Sequence, residues 1–119
     1  MTKKIYLVED TADLRALVEF LLTRMGFTVE TFATATDYLK RIAQGLPDLV
    51  ILDIMLPDGN GIEICNKQKQ DPVTCHVPVL LMSANTYTKD DIQERADLQF
   101  ISKPFDIDDF SNRVRTMAG

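Results

Sequence analysis

The fold is decided by the stretch Asp-Leu-Val-Ile-Leu-Asp at residues 48–53. Apolar residues fill four consecutive positions from Leu49 to Leu52, without the alternation that a half-exposed strand shows. Continuous runs of this kind occur in parallel strands, which are buried on both faces of their sheet. The stretch therefore predicts a buried parallel strand with Asp53 at its end.

Four other stretches read as strands. Ile5–Val8, Val77–Met82 and Leu98–Ser102 are mainly apolar, whereas Thr28–Phe32 alternates polar and apolar residues as an edge strand does. The segments between them repeat apolar residues at helical spacing and carry capping residues. The predicted helices cover 14–25 before Gly26, a segment that begins at Thr34-Ala35-Thr36-Asp37, and Asn60 to about Gln70. A short helix opened by Thr88-Lys89-Asp90-Asp91 and a last helix capped by Asp106 follow. Leu39, Ile42 and Ala43 lie on one face of the second helix, and Ile107, Phe110, Val114 and Met117 lie on one side of the last.

Strand and helix thus alternate five times along the chain. This alternation predicts an α/β fold with a doubly wound, five-stranded parallel sheet and helices on both faces. Open sheets of this kind bind ligands at the carboxyl ends of their strands, beside the point where the strand order reverses. The residues that follow each apolar run are therefore the candidates for function.

Composition limits the other classes of function. A chain of 119 residues is expected to form a single domain over 1–119. The net charge is −5 and no cluster of Lys or Arg exceeds a pair, which argues against direct binding to nucleic acid or to an anionic membrane. Ile5–Val8 is too short for the core of a signal peptide, so a cytoplasmic location is predicted. Cys65 and Cys75 form no motif.

Charged and polar residues follow four of the five runs. Glu9-Asp10 follows the first, Asp53 the third, Ser83 the fourth and Lys103-Pro104 the last. Two carboxylates about 5 Å apart repel each other by roughly 3 kcal/mol at an effective dielectric constant near 20, so a fold would not gather them for stability. A Mg²⁺ ion, which prefers carboxylates, waters and phosphoryl oxygens, would remove that repulsion.

Each residue type has a chemical reason to be at this edge. Asp10 and Asp53 would bind the metal directly, and the longer Glu9 would hold it through water. Asp53 lies nearest the middle of the sheet and is the best candidate for a nucleophile that accepts a phosphoryl group. Lys103 would neutralise the charge that develops on that group, and Ser83 would donate a hydrogen bond to it.

These residues resemble those of receiver domains in bacterial two-component response regulators. The matching segments are Leu7-Val8-Glu9-Asp10, Leu52-Asp53-Ile54-Met55-Leu56-Pro57-Asp58-Gly59-Asn60-Gly61, Met82-Ser83-Ala84 and Ser102-Lys103-Pro104-Phe105. In this order and at this spacing they are highly specific, and the resemblance covers essentially the whole chain.

The resemblance implies a flavodoxin-like strand order of 2-1-3-4-5. It implies transfer of a phosphoryl group from a histidine kinase or a histidine phosphotransfer protein onto Asp53, with Mg²⁺ or Mn²⁺ bound by Glu9, Asp10, Asp53 and the Met55 carbonyl. It also implies that Ser83, Ala84 and Lys103 bind the phosphoryl group, that Ser83 and Phe100 form a conformational switch, and that the peptide bond before Pro104 is cis. The chain would then be a switch that acts on an unknown downstream protein and is no enzyme beyond its own phosphorylation and slow dephosphorylation. The slow loss is expected because Met55 would hinder an attacking water, with Asn85 on the other side of the phosphoryl group.

The sequence departs from the family in two places. Ser83 and Lys103 are 20 residues apart, which is shorter than usual, and Ala96-Asp97-Leu98 stands where a Gly-Ala pair is familiar. The helix near Thr88 is therefore expected to be short or displaced, which affects the usual output face. No output domain follows Gly119, so both a stand-alone receiver and a part of a larger protein stay open.

Three other functions fit these residues less well. A phosphatase of the haloacid dehalogenase type would need an acid two residues after Asp53, where Met55 stands. A flavin binder would need a phosphate loop after the first strand, where the acidic Glu9-Asp10 stands. A degenerate receiver would act only as a scaffold.

Two weaker metal motifs are also disfavoured. A calcium loop from Asp58 would have Lys69 in place of its final Glu, and Cys75-His76 supplies only two zinc ligands.

Overall fold

A computed structural model of the chain describes residues 2–83 and 97–119. Over these residues, five parallel strands form one sheet in the order 2-1-3-4-5. The strands are β1 (Lys4–Val8), β2 (Thr28–Phe32), β3 (Leu49–Asp53), β4 (Val79–Ser83) and β5 (Leu98–Ser102). The predicted doubly wound sheet and its strand order are confirmed.

The register of the sheet brings the strand ends together. Leu52 of β3 lies opposite Val8 of β1 on one side, and its neighbour Asp53 lies opposite Met82 of β4 on the other. β4 begins at Val79, two residues after the predicted start, because the Val77 N–H still donates to the Thr74 carbonyl in the preceding turn. The sequence prediction of that boundary was therefore wrong, although the strand itself was not.

Helices cover both faces of the sheet. They are α1 (Ala12–Arg24), α2 (Ala35–Ile42), α3 (Gly61–Gln70) and α4 (Ile107–Ala118). α1 and α4 pack on the face that carries Ile5, Leu7 and Ile51, whereas α2 and α3 pack on the face of Tyr6, Val50 and Leu52. Gly26 has a φ of +97°, which suits a glycine directly after a helix. The helix predicted to open at Thr88 lies outside the described residues.

The buried face of α2 differs from the predicted one. Ala35, Tyr38 and Ile42 are buried, while Leu39 is 47% exposed and Ala43 lies at the surface. The Tyr38 ring determines which face of α2 is turned toward the core, because it packs edge-on against Phe32 with ring centroids 6.1 Å apart. The prediction that Leu39 and Ala43 share the buried face was therefore wrong.

The helices in the described part of the chain are amphipathic and short. None of them combines the length and the apolar character that a membrane crossing requires. Their caps come from the residues expected at two places: Thr34 accepts from the Asp37 N–H (3.2 Å), and Asp106 accepts from the Asp109 N–H (3.0 Å). The fold thus leaves the carboxyl ends of β1, β3, β4 and β5 together at one edge.

Candidate functional site

Asp53 and Glu9 occupy neighbouring strand ends in the middle of this edge. Asp53 is the last residue of β3 and is 4% exposed, and Glu9 follows β1 and is fully buried. The Glu9 N–H donates to the Phe32 carbonyl (2.9 Å), and its own carbonyl accepts from Arg15 Nη1 (2.8 Å). The backbone of Glu9 is therefore fixed from both sides, which aims its side chain inward.

Glu9, Asp10 and Asp53 form an acidic cluster. Each offers one carboxylate oxygen, and these three oxygens lie within 4.8 Å of one another. Glu9 Oε2 is buried and has no hydrogen-bond partner within residues 2–83 and 97–119. A buried carboxylate oxygen without a donor is costly unless something satisfies it. Hard oxygen donors at this spacing fit a divalent cation such as Mg²⁺.

Lys103 brings a single ammonium to this cluster. Its Nζ lies 2.8 Å from Glu9 Oε1 and 3.3 Å from Asp53 Oδ2. The Lys103 N–H donates to the Ser83 carbonyl (2.7 Å), and the peptide bond between Lys103 and Pro104 is cis. Among residues 2–83 and 97–119, this ammonium faces three carboxyl groups, which leaves an excess of negative charge when all three are ionised.

Burial and the neighbouring Asp53 both disfavour the ionised form of Glu9. Burial, followed by the hydrogen bond and charge of Asp53, raises the pKa of Glu9 from 4.5 to about 7, although Lys103 opposes the rise. Without a cation, Glu9 therefore retains a proton well above the usual range of a glutamate. A metal that binds there would displace this proton, since ligands must be deprotonated.

A short ribbon follows Asp53 and shapes the entrance to the site. Met55–Leu56 pairs antiparallel with Gly59–Asn60, and Gly61 then begins α3. The Gly61 N–H donates to the Ile54 carbonyl (2.7 Å), and a Cβ at Gly61 would lie only 2.4 Å from the Asp53 carbonyl oxygen. Glycine is therefore required for this close approach. Met55 lies next to the carboxylate, with its N–H 3.3 Å from Asp53 Oδ1 and a side chain that is 59% exposed.

The predicted switch residues lie on the last two strands. Ser83 is the final residue of β4, is fully buried and pairs with Ser102 of β5. Phe100 of β5 is partly buried and packs against the core cluster beneath α2 and α3. Ala84 and Asn85, which were predicted to lie beside the phosphoryl group, fall outside the described residues.

Sequence reasoning missed two residues that shape this edge. Arg15 fixes the Glu9 backbone, and Asp58 accepts hydrogen bonds from the backbone N–H groups of Ala35 (2.8 Å) and Thr36 (2.9 Å). No local signal connects Asp58 to α2, because its partners are more than twenty positions earlier in the chain.

The comparison with protein families agrees with this sheet and with the acidic cluster and lysine at its carboxyl edge. The family model described as the response regulator receiver domain matches residues 5–115. The chain belongs to this family, and the expectation from its motifs is confirmed. It is a receiver domain of the kind that works in two-component systems, where histidine kinases phosphorylate such domains and a divalent metal is bound.

Individual relatives agree with the family match. The chain is 35% identical over 119 residues to the response regulator PleD of Caulobacter vibrioides, with 98% of this chain and 26% of PleD covered. It is 36% identical over 117 residues to the response regulator ArlR of Staphylococcus aureus, with 96% of this chain and 52% of ArlR covered. The chain thus spans about a quarter of the length of PleD and about half of ArlR.

A solved structure supports the same fold. The response regulator TrrA of Thermotoga maritima, solved in complex with Mg(2+)-BeF, superposes with a TM-score of 0.86 at 26% identity. The match covers 98% of this chain and 99% of TrrA. The two proteins therefore share the receiver fold along almost their entire lengths.

Proposed function

We propose that Asp53 accepts a phosphoryl group from a phosphohistidine of a sensor histidine kinase or a histidine phosphotransfer protein. One observation carries the proposal: the Asp53 carboxylate ends the middle strand with an ammonium at 3.3 Å and two more carboxyl groups beside it. That arrangement combines a nucleophile, a cation and a set of metal ligands. Such a combination is what phosphoryl transfer needs, since its catalysis is mainly positioning and charge stabilisation.

In the transfer, a carboxylate oxygen of Asp53 attacks the phosphorus of the donor. A new P–O bond forms, the P–N bond to the donor imidazole breaks, and that imidazole keeps the electron pair and takes up a proton. Lys103 is close enough to move from Glu9 and Asp53 to the oxygens of the incoming group. Ser83 and Ala84 would donate hydrogen bonds to the same oxygens.

The metal-binding residues in this proposal are Glu9, Asp10, Asp53 and the Met55 carbonyl. Mg²⁺, or Mn²⁺ in its place, would supply positive charge against the phosphoryl oxygens and neutralise the acidic cluster. Glu9 Oε2, which has no hydrogen-bond partner among the described residues, and the spacing of the three carboxylates support this assignment. The structure of TrrA, solved in complex with Mg(2+)-BeF, supports the same assignment by analogy.

The consequence of phosphorylation would be a change of shape. Ser83 would move toward the phosphoryl group, and Phe100 would turn into the space that Ser83 leaves. We further propose that residues 1–119 act as one receiver domain that controls a downstream protein, with no direct contact to nucleic acid or membrane. We also propose that the domain acts in the cytoplasm, where the thiols of Cys65 and Cys75 would stay reduced. The domain would catalyse only its own phosphorylation and slow dephosphorylation.

The test is the intact mass of the protein after incubation with acetyl phosphate, with and without Mg²⁺. Wild type should gain one phosphoryl group in a reaction that needs Mg²⁺, and Asp53→Asn should gain none. Asp48→Asn is the matched control, because it removes an aspartate that precedes the same strand at the opposite end. A gain in Asp53→Asn equal to that of wild type would contradict the proposal.

A further inference from the structure

The carboxylate of Asp58 ties the ribbon after Asp53 to the start of α2. Oδ1 accepts from the Ala35 N–H (2.8 Å), and Oδ2 accepts from the Thr36 N–H (2.9 Å) and the Thr36 hydroxyl (2.6 Å). The first N–H groups of a helix have no partner within the helix, so two of those in α2 depend on a residue from another part of the chain. These three bonds hold the pKa of Asp58 below its usual value, with the Thr36 hydroxyl as the largest cause.

The rest of the ribbon is fixed at its other end. Asn60 accepts from the N–H groups of Ile62 (2.8 Å) and Glu63 (3.3 Å) and so caps α3. Gly61 lies so close to the Asp53 carbonyl oxygen that it has no room for a Cβ. Asp58 therefore joins this ribbon to α2 by side-chain hydrogen bonds, while Asn60 and Gly61 connect it to α3 and β3.

Met55 lies at the start of the same ribbon. Its strand partner is Asn60, and the pair Leu56 and Gly59 leads directly to Asp58. A shift of Asp58 would thus be transmitted through two residue pairs to the Met55 backbone. The Met55 carbonyl is one of the atoms assigned above to the metal.

We propose that Asp58 is a positioning residue that couples order in the first turn of α2 to metal binding at the acidic cluster. It does not touch the metal or the phosphoryl group. It acts through the ribbon, which places the Met55 backbone beside the cluster, with the Met55 N–H donating to Asp53 Oδ1 (3.3 Å). The inference rests on the proposed function, since it uses Met55 as a metal ligand.

Coupling of this kind is reciprocal. If the Asp58 cap favours metal binding, bound metal must favour the cap by the same factor. The N–H groups of Ala35 and Thr36 report the state of the cap directly, because they donate to Asp58. Their hydrogen exchange therefore measures the coupling without any substitution.

The first experiment is a calorimetric titration with Mg²⁺ of wild type and Asp58→Ala. Loss of a hydrogen-bonding group behind a metal ligand weakens metal affinity by about tenfold or more, and we expect a loss of about tenfold here. Thr36→Val removes only the hydroxyl bond and should give a smaller loss in the same direction. Asp58→Asn keeps one acceptor oxygen and serves as a second variant, should Asp58→Ala fail to fold.

Asp48→Ala is the matched control. Asp48 Oδ2 also accepts from a distant backbone N–H, that of Lys4 (2.7 Å), but at the opposite end of the sheet. This variant removes the same charge and the same kind of bond, so a general electrostatic effect would appear in it too. Mg²⁺ affinity that falls equally in Asp48→Ala and Asp58→Ala would overturn the proposal.

The second experiment is amide hydrogen exchange with and without Mg²⁺. Mg²⁺ should slow exchange at Ala35 and Thr36 in wild type, by the factor that separates wild type from Asp58→Ala in the titration. Unchanged exchange at both amides with Mg²⁺ bound would overturn the proposal. If Mg²⁺ fails to bind wild type at all, or Asp53→Asn is phosphorylated, the proposed function fails instead, and the two failures are distinct.

Discussion

The ion cluster on β2 and the acidic cluster at the strand ends contain the same kinds of side chain. On β2, Glu30 accepts from Arg41 Nε (2.9 Å) and Nη2 (3.1 Å) and lies 3.4 Å from Lys4 Nζ. Two cations there share one partly exposed carboxylate. At the strand ends, one ammonium from Lys103 faces three carboxyl groups, two of which are buried.

The pKa values of the two glutamates move in opposite directions. The hydrogen bond from Arg41 lowers the pKa of Glu30, whereas burial and Asp53 raise the pKa of Glu9 to about 7. The first cluster is satisfied and contributes to the fold. Within the described residues the second is short of positive charge, and a bound divalent cation would offset this deficit. Charge balance and burial, more than residue type, separate the two.

The largest expected difference between the clusters is in the rate of phosphorylation. Lys103→Ala should lower the initial rate with acetyl phosphate by about a hundredfold, because it removes a cation from the site where charge develops. Arg41→Ala should leave that rate unchanged and lower the free energy of unfolding only slightly, because its ion pair with Glu30 is partly exposed. Intact mass against time gives the rates, and urea unfolding gives the stabilities. Equal losses of phosphorylation rate in the two variants would contradict the difference in role between the two clusters.

Close packing behind Asp53 predicts the next effect. Gly61→Ala should lower the free energy of unfolding by about 1–3 kcal/mol, because the new methyl group must push the Asp53 and Ile54 backbone aside. Gly45→Ala is the control, since its Cβ would meet only the flexible end of Arg41 at 3.2 Å. Urea unfolding of both variants measures the difference. If Gly61→Ala is as stable as Gly45→Ala, the prediction is wrong, because the backbone around Asp53 can then move aside at no cost in stability.

The two glutamates should also give opposite pH profiles in the metal-free protein. Because the pKa of Glu9 is raised from 4.5 to about 7, the folded chain keeps a proton that the unfolded chain loses in this window. Glu9 therefore makes stability fall as pH rises through the window, and Glu9→Gln should remove that fall.

The contribution of Glu30 to the pH dependence of stability has the opposite sign. Its lowered pKa contributes stability above the pKa of the unfolded chain, and that stability is lost as pH falls through the folded value. Glu30→Gln should therefore lower stability near neutral pH. Urea unfolding in EDTA at a series of pH values compares the two variants with wild type. A change of the same sign in both near neutral pH would contradict the contrast.

The smallest effect is expected at Met55. Its exposed apolar side chain next to Asp53 should hinder an attacking water, so Met55→Asn should speed the loss of the phosphoryl group. Val73→Asn is the control, because Val73 is 68% exposed and lies away from the strand ends. Decay of the phosphorylated mass after removal of acetyl phosphate gives both rates. An unchanged or slower decay in Met55→Asn would reject the role of Met55.

The sheet and its functional edge could be predicted because both follow from local sequence. The unbroken run Leu49–Leu52 identifies a buried parallel strand. Because Asp53 directly follows this run, it could be placed at the carboxyl edge of the sheet. Glu9 and Lys103 could be assigned to the same edge for the same reason. The motifs around them then indicated the family.

What could not be predicted depends on contacts between distant segments. The phase of α2 follows from the packing of Tyr38 on Phe32, and the Asp58 cap joins residues that no sequence pattern connects. The raised pKa of Glu9 requires both its burial and the approach of Asp53. These are tertiary effects, which spacing and composition do not encode.

The most direct test of the central claim is to locate the phosphoryl group. Borohydride reduces an aspartyl phosphate to homoserine, which tandem mass spectrometry of proteolytic peptides identifies at a single position. After reaction with acetyl phosphate and Mg²⁺, we predict homoserine at position 53. Homoserine at position 10, or a phosphoryl group on His76 with position 53 unmodified, would contradict the account.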